Sequence, residues 1–261
     1  EGFPAYTTAV GWAGYSAEKV KELCEHAKGE MGFTAFKVKV GTGLEKDTER
    51  VKLVRDCVGD DATLMVDANQ VWSVDEAVAN MKELHKFDIT WIEEPTAPDD
   101  AWGHSVIAKK MNELGLNIGV ATGEHMSNRI LHKQFMELDS YKFVQTDPAR
   151  LGGLNELLVV MLMAAKKEKP VCLHAGGVGL CEMGIHAALF DYIAISASLE
   201  NRWLEYSGAL HEHFTFPVKI ENGRYRVPIG PGWSADMKPE SLKKFAYPRG
   251  EYWKSLNQTN K

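Results

Sequence analysis

Short apolar runs alternate with amphipathic segments along this chain, and the pattern repeats about every 30 residues, which is the length of one strand–helix unit. The apolar runs predict eight strands, at residues 6–10, 36–40, 64–67, 90–93, 118–121, 143–146, 171–174 and 193–196. Parallel strands joined by right-handed helical crossovers form either a doubly wound sheet or a closed barrel. Eight units in roughly 200 residues, with polar residues at many strand ends, favour a (β/α)8-type TIM barrel.

The pattern changes after Glu200. Residues 214–218 and 224–228 predict a short hairpin around Asn222-Gly223, and a tail rich in proline and glycine follows. We therefore expect a barrel domain at residues 1–200. Residues 201–261 are expected to form a C-terminal segment that packs on it.

Composition excludes several classes of function. The net charge of -6 and the pI near 5.9 come without a basic cluster, so we expect no nucleic-acid partner. The longest apolar run, residues 157–165, is far below the roughly 20 residues that cross a bilayer, so no membrane partner is expected. The four cysteines, none of them in a CxxC pair, indicate the reduced thiols of an intracellular protein.

Two lysines, Lys37 and Lys39, lie two residues apart in the predicted second strand, so their side chains emerge on the same face. Each buried ammonium group would cost several kcal/mol unless it met negative charge. Burial and the repulsion between the two lysines are expected to lower a pKa, so that Lys39 could act as a base near neutral pH.

Polar residues close the apolar runs that follow, each about one strand–helix unit after the last, and should converge on the C-terminal mouth of a barrel. They are Asp67, Glu93, Glu124, Asp147 and His174. The first three carboxylates would repel one another unless a hard cation neutralised them, and oxygen ligands suit Mg²⁺. Asp147 could orient His174 and hold it in one tautomer.

This arrangement suits removal of a proton next to a substrate carboxylate, with Lys39 as base and His174 as acid across the metal. If a hydroxyl group leaves from the next carbon, the result is β-elimination of water. The same two residues could instead exchange the α-proton, which is racemisation.

Several motifs together resemble the mandelate racemase branch of the enolase superfamily. They are Lys37-x-Lys39, VDAN (66–69), IEEP (92–95), TGE (122–124), QTD (145–147) and HAGGVGL (174–180). Within that branch, EEPTAPDD (93–100), HAGGVGLCE (174–182) and LHEHF (210–214) are similar to the L-fuconate dehydratase group. The resemblance implies the (β/α)7β variant of the barrel, Mg²⁺ as cofactor, and dehydration of a sugar acid, L-fuconate first, to a 2-keto-3-deoxy acid.

The resemblance also implies a role for each site residue. Asp67, Glu93 and Glu124 would bind Mg²⁺, Lys39 would be the base, and the Asp147–His174 dyad would be the acid. The expected substrate contacts are Lys37, Glu205, Asn69 and His125. Lys37 would face the substrate carboxylate, and Glu205 would be a hydrogen-bonding electrophile near that carboxylate. His125 could contact the substrate or only line the mouth.

Members of this family carry an N-terminal α+β capping domain, and this chain begins at the barrel. We therefore expect the chain alone to be weakly active at best. Alternatives are a dehydratase or racemase for another sugar acid and, from a different class, a truncated barrel that binds or regulates without turnover. The resemblance is compatible with a mitochondrial location, and the alternative is the cytoplasm. It is also compatible with a homo-oligomer.

Overall fold

The computed structural model describes residues 2–259. Its strands are β1 Phe3–Gly11, β2 Ala35–Lys39, β3 Thr63–Asp67, β4 Ile89–Glu93, β5 Gly119–Thr122, β6 Phe143–Val144, β7 Leu204–Tyr206, β8 Ile220–Glu221 and β9 Arg224–Tyr225. Its α-helices are α1 Ala17–Glu25, α2 Leu44–Val58, α3 Val74–Leu84, α4 Ala101–Glu113, α5 Arg129–Glu137, α6 Leu154–Lys166, α7 Leu180–Phe190, α8 Pro239–Phe245 and α9 Glu251–Thr259. Within these residues, no helix is long and apolar enough to cross a membrane.

The parallel strands run in the order β7-β1-β2-β3-β4-β5-β6, with helices in the connections. A single parallel bridge from Val144 to Val171 extends the sheet beyond β6. Among the described residues, no backbone pairing closes the remaining gap between Val171 and β7. Other contacts cross it: the Cys172 thiol donates to the Asn201 carbonyl (3.3 Å), and the Ala175 amide donates to Glu205 Oε2 (3.0 Å). This is the predicted α/β architecture, with a sheet that backbone pairing does not close.

The predicted strand at residues 193–196 is wrong, and the one at residues 171–174 is reduced to the bridge at Val171. Residues 193–196 form part of a π-helical turn, Asp191–Ser196, that continues α7, and the strand that pairs with β1 is β7, Leu204–Tyr206. The apolar run at 193–196 resembles a strand locally, but its backbone continues the helix. The segment after Glu200 therefore contains a strand of the main sheet as well as the antiparallel pair β8–β9. Asn222-Gly223 is the turn of that hairpin, whose first strand lies later than predicted.

Local sequence explains several helix starts. Ser16 and Asn128 accept hydrogen bonds from the free amides of α1 and α5. At α3, the Ser73 hydroxyl accepts from the Glu76 amide while the Glu76 carboxylate accepts from the Ser73 amide, so the two residues form a capping box.

Two apolar clusters hold the sheet. The larger lies between the strands and the helices. The smaller joins one side chain from each successive strand, and its members are Tyr6, Ala35, Met65, Trp91, Ala121, Phe143 and Cys172. Because side chains alternate along a strand, the residues two positions later point to the same side. In β2, β3 and β4 those residues are Lys37, Asp67 and Glu93, so the inner cluster lies beneath the charged strand ends.

Candidate active site

Strand register brings three of the predicted residues side by side. Lys39 on β2 pairs with Asp67 on β3, and Asp67 pairs with Glu93 on β4. All three end their strands at the same edge of the parallel sheet, as the sequence predicted. Asp67 and Glu93 are 1% exposed.

Lys37 is the centre of an ion cluster. Its Nζ lies 2.5 Å from Glu93 Oε1, 3.2 Å from Glu205 Oε1 and 3.5 Å from Asp67 Oδ2. Burial alone would lower the pKa of Lys37, but the charges of Glu205 and Glu93 raise it well above its ordinary value. The buried ammonium therefore stays protonated, and it provides a fixed positive charge at the base of the mouth.

Lys39 lies one pleat nearer the mouth. Its Nζ is 2.5 Å from Asp67 Oδ2 and 5.3 Å from the centre of the Trp12 ring. The sequence led us to expect repulsion between the two lysines to dominate here. The structure instead gives each ammonium group a carboxylate partner, so acids from β3 and β4 separate the two positive charges.

The carboxylates of the mouth outnumber the lysines. Burial, followed by the charges of Asp67, Glu205 and Glu124, raises the pKa of Glu93 to about 8, against the opposing effect of Lys37. The other oxygen of Glu93 accepts from the Gln145 amide at 2.6 Å. At Asp67 burial is outweighed by Lys37 and Lys39, which lower the pKa. This excess of buried oxygen ligands fits a hard divalent cation.

Glu205, known from sequence only through the resemblance, lies on β7 and faces the same cluster. It accepts hydrogen bonds from the Ala175 amide (3.0 Å) and the Thr8 hydroxyl (3.3 Å). Burial works in the opposite direction, but Lys37 and His174 hold the pKa of Glu205 at about 2. It is therefore a carboxylate at neutral pH and accepts, rather than donates, these bonds.

His174 and Asp147 form the predicted dyad. His174 Nδ1 lies 2.7 Å from Asp147 Oδ2, and both side chains are buried. Burial alone would lower the pKa of His174, but the hydrogen bond to Asp147 and the charges of Glu205 and Glu124 raise it to about 9. The imidazolium then directs Nε2–H toward the mouth, 3.5 Å from Glu124 Oε2 and 3.7 Å from Glu205 Oε2.

Arg150 links the Asp147–His174 dyad to Glu124, and the sequence did not predict this. Its Nη1 donates to Glu124 Oε1 at 3.0 Å, and its Nε lies 3.3 Å from Asp147 Oδ2. Together with His174, these residues make a closed ring of four charged side chains. The arginine follows the QTD motif by three residues, which is the only signal that could have found it.

Glu94 and His125 lie beside this ring. His125 Nδ1 is 2.6 Å from Glu94 Oε1, and Glu94 Oε2 accepts from the Gln70 amide at 2.8 Å. Among the described residues, Glu94, Glu124 and His125 are the set whose ligand atoms lie within 4.8 Å of one another, and the predicted Asp67–Glu93–Glu124 set does not reach that spacing. Asp67, Glu93 and Glu124 line the mouth, whereas Glu94 contacts Gln70 and His125 beside it.

A cavity of about 470 Å³ opens over these residues. Its lining includes Lys37, Lys39, Asp67, Asn69, Glu93, Glu124, His174 and Glu205, which are eight of the ten predicted site residues. Asp147 lies behind His174, and His125 lies outside the lining. A larger cleft of about 640 Å³ between α4 and α5 contains none of them, so volume alone does not mark the site.

The cavity also has an aromatic edge that sequence reasoning missed. Trp12 and Tyr15 follow β1, line the cavity and are about half exposed, and Thr8 lines it from within β1.

Asn69 has a positive φ of 46°, and its amide donates to Asp67 Oδ1 at 2.9 Å. Asn69 therefore helps to hold Asp67 in place, in addition to lining the cavity.

A family model described as "Enolase C-terminal domain-like" matches residues 19–241. The chain belongs to the enolase superfamily. The predicted family is confirmed, together with its α/β barrel-type fold.

Two curated relatives show how much of a longer protein this chain represents. "Mitochondrial enolase superfamily member 1" of Homo sapiens is 53% identical over 256 residues, which are 98% of this chain and 57% of the relative. "L-galactonate dehydratase" of Hypocrea jecorina is 45% identical over 254 residues, which are 96% of this chain and 55% of the relative. The chain thus spans a little over half the length of these relatives.

Solved structures agree with the fold. The crystal structure of the human relative superimposes with a TM-score of 0.94 at 53% identity, covering 98% of this chain and 57% of that one. The L-talarate dehydratase of Polaromonas sp., crystallised with Mg and L-glucarate, gives a TM-score of 0.78 at 27% identity, covering 92% of this chain and 62% of that one.

Proposed function

We propose that this chain carries the active site of a Mg²⁺-dependent sugar-acid dehydratase, with L-fuconate and L-galactonate as the leading substrates. The observation that carries the proposal is the placement of Lys39 and His174. They line one cavity from β2 and from the segment after Val171, with the strands β3 to β6 between them and carboxylates in the space they enclose.

Asp67, Glu93 and Glu124 are the residues we assign to the metal, since buried, oxygen-only, negatively charged ligands suit Mg²⁺. When bound, the ion would neutralise these acids and stabilise negative charge on the substrate carboxylate. Lys37 would face that carboxylate with a fixed positive charge.

The chain's own groups then account for the elimination of water. Lys39 Nζ takes the proton from C2 of the sugar acid, and the electron pair of the broken C–H bond moves into the carboxylate as an enediolate. That pair then forms the C2–C3 double bond as the C3–O bond breaks. The C3 hydroxyl leaves with the proton from His174 Nε2, as water. The hydrogen bond from His174 Nδ1–H to Asp147 stabilises the imidazolium and orients Nε2–H toward the leaving group, and the resulting enol becomes a 2-keto-3-deoxy acid.

Two lines of evidence support the substrate class. The relative at 45% identity is named L-galactonate dehydratase, and the sequence motifs resemble the L-fuconate dehydratase group. L-Fuconate is the 6-deoxy form of L-galactonate, so the two acids share the configuration at C2 to C5. A site that binds the substituents on C2 to C5 would therefore accept both L-fuconate and L-galactonate.

The test is proton NMR in D₂O with the chain, Mg²⁺ and either acid, with chelator and Lys39→Ala as controls. Keto-acid product that needs both the metal and Lys39 supports the proposal. Loss of the C2 proton signal without product favours the second candidate, racemisation or action on another sugar acid, which the placement of a base and an acid on two sides of the cavity also allows. Neither exchange nor product with both acids would contradict the proposal.

A further inference from the structure

Two cysteines from neighbouring helices meet on the outer side of the sheet. Cys24 lies in the last turn of α1 and Cys57 in the last turn of α2, and these two helices pack against each other. Cys24 is 1% exposed within the outer apolar core, whereas Cys57 is partly exposed. Both line a surface cleft of about 480 Å³ that shares no lining residue with the mouth.

The two thiols are neighbours in this cleft. Burial raises the pKa of the Cys24 thiol to about 12, and the charge and the hydrogen bond of the Cys57 thiol raise it further in the same direction. The other two cysteines are in different surroundings. Cys172 and Cys181 are buried, and their thiols donate to the carbonyls of Asn201 (3.3 Å) and Ala175 (3.4 Å).

We propose that Cys24 and Cys57 form a dithiol site that a peroxide oxidises to an intramolecular disulfide joining α1 to α2. Side chains that line one cleft from two adjacent helices can rotate toward each other to reach the S–S bond length of about 2.05 Å. Partial exposure makes Cys57 the sulfur that the oxidant reaches first. Cys24, behind it, is the resolving thiol.

The chemistry balances with hydrogen peroxide as the oxidant. The Cys57 sulfur attacks one peroxide oxygen, an S–O bond forms, the O–O bond breaks, and hydroxide leaves and is protonated to water. The Cys24 sulfur then attacks the Cys57 sulfenic acid, the S–S bond forms, the S–O bond breaks, and a second water leaves. The two thiols lose two electrons, and one peroxide becomes two waters.

The cross-link closes a loop of about 30 residues, so it restricts the unfolded chain and should raise the Tm by about 5 °C. Since the dithiol cleft is separate from the mouth, Mg²⁺ binding should be the same in the oxidised and reduced forms.

The experiment treats the reduced full chain with hydrogen peroxide, counts thiols after denaturation, and maps the peptides by mass spectrometry. We expect the four thiols to fall to two, with one linked peptide pair containing Cys24 and Cys57. In Cys24→Ser, Cys57 should instead stop at the sulfenic acid, which dimedone traps. Cys57→Ser should keep its three thiols under the same exposure.

The proposal is overturned if four thiols remain under peroxide exposure that modifies other proteins of similar cysteine content. It is also overturned if Cys172 or Cys181 is the partner in the linked peptide, or if the disulfide joins two chains. Because the wild-type peptide map alone decides these outcomes, the test does not depend on how well either serine variant folds.

Discussion

Two layers of side chains on the same strands differ sharply in chemistry, although both are buried. The lower layer is the inner apolar cluster, and the upper layer is the set of charged side chains at the strand ends. Met65 and Trp91 are 0% exposed, and two residues further along their strands Asp67 and Glu93 are 1% exposed. The lower layer packs apolar side chains and aromatic rings, with Trp91 5.4 Å from Tyr6 and 4.9 Å from Phe143 between ring centres. The upper layer packs charge against charge.

The difference shows where stability and chemistry come from. Packing in the lower layer stabilises the fold by removing apolar surface from water. Buried ion clusters gain little net stability, because desolvation offsets their attraction. Charges kept at such a cost are expected at functional sites. Changes in the lower layer should therefore alter stability, and changes in the upper layer should alter chemistry.

The largest expected effect is on chemistry, at Lys39. Removing a general base typically costs about 10²–10⁴-fold in rate, so Lys39→Ala should lose at least 100-fold of any sugar-acid turnover or C2 exchange. Rates of exchange in D₂O measure this. Lys52→Ala, at an exposed lysine, is the matched control and should leave the rate unchanged. A loss of less than tenfold in Lys39→Ala would contradict the assignment of Lys39 as the base.

In the lower layer, Trp91→Ala should cost about 3–5 kcal/mol in the free energy of unfolding, because the cavity it leaves is surrounded by Tyr6, Phe143 and Trp203. Urea unfolding measures this. Trp91→Phe should cost far less, since the buried indole N–H has no hydrogen-bond partner to lose among the described groups. A cost below 1 kcal/mol for Trp91→Ala would show that the layer does not hold the fold.

Two buried histidines extend the comparison to pH. His132, in α5, has no acidic partner among residues 2–259, and burial lowers its pKa from 6.5 to about 4. Between pH 6.5 and pH 4 the unfolded chain therefore binds a proton that the native chain does not. As the pH is lowered through this range, the free energy of unfolding should decrease by about 3 kcal/mol. Urea unfolding of wild type and His132→Phe across this range checks it, because the variant should lack this contribution.

His174 should behave in the opposite way, because Asp147 raises its pKa to about 9. A raised folded-state pKa adds stability that is fully present below pH 6.5 and is lost as the pH rises through about 9. In His174→Asn this alkaline loss should shrink, whereas in His132→Phe it should persist. Identical profiles for the two variants would remove the distinction between the buried histidines.

The smallest expected effect is at Arg150, whose side chain is 40% exposed. Arg150→Met should lower turnover about tenfold, roughly 1.4 kcal/mol, because Glu124 and Asp147 lose the group that links them. Arg150→Lys should restore part of the rate. The split between kcat and KM is informative: a positioning role predicts loss mainly in kcat, and a change in KM alone would contradict it.

Much of this site could be predicted from the sequence, because strand ends are local. Asp67 and Glu93 close apolar runs and sit at the predicted edge, and period-two alternation places Lys37 and Lys39 on one face. The partners of those lysines could not be predicted, since they depend on how neighbouring strands approach. Each lysine lies 2.5 Å from a carboxylate on a neighbouring or more distant strand, and the charges of Glu205 and Glu93 raise the pKa of Lys37.

The eighth strand failed for a related reason. The run at 193–196 looks like a strand, yet it extends a helix, and β7 contains Glu205, a charge that local patterns place outside a buried strand. That charge is tolerated because Lys37 lies 3.2 Å away, across the sheet. Arg150 was missed because only Asp147 is near it in sequence, whereas its other partner, Glu124, is 26 residues away and is brought close by the fold.

Isothermal titration calorimetry of Mg²⁺ into the chain tests the proposed metal site directly. The proposed Asp67–Glu93–Glu124 set predicts one Mg²⁺ site per chain, with affinity weakened at least tenfold by Asp67→Asn and unchanged by His125→Ala, since Asp67 faces the mouth and His125 lies beside Glu94. Binding that is lost in His125→Ala and kept in Asp67→Asn would assign the ion to the Glu94–Glu124–His125 set. It would thereby contradict the metal site on which the proposed chemistry depends.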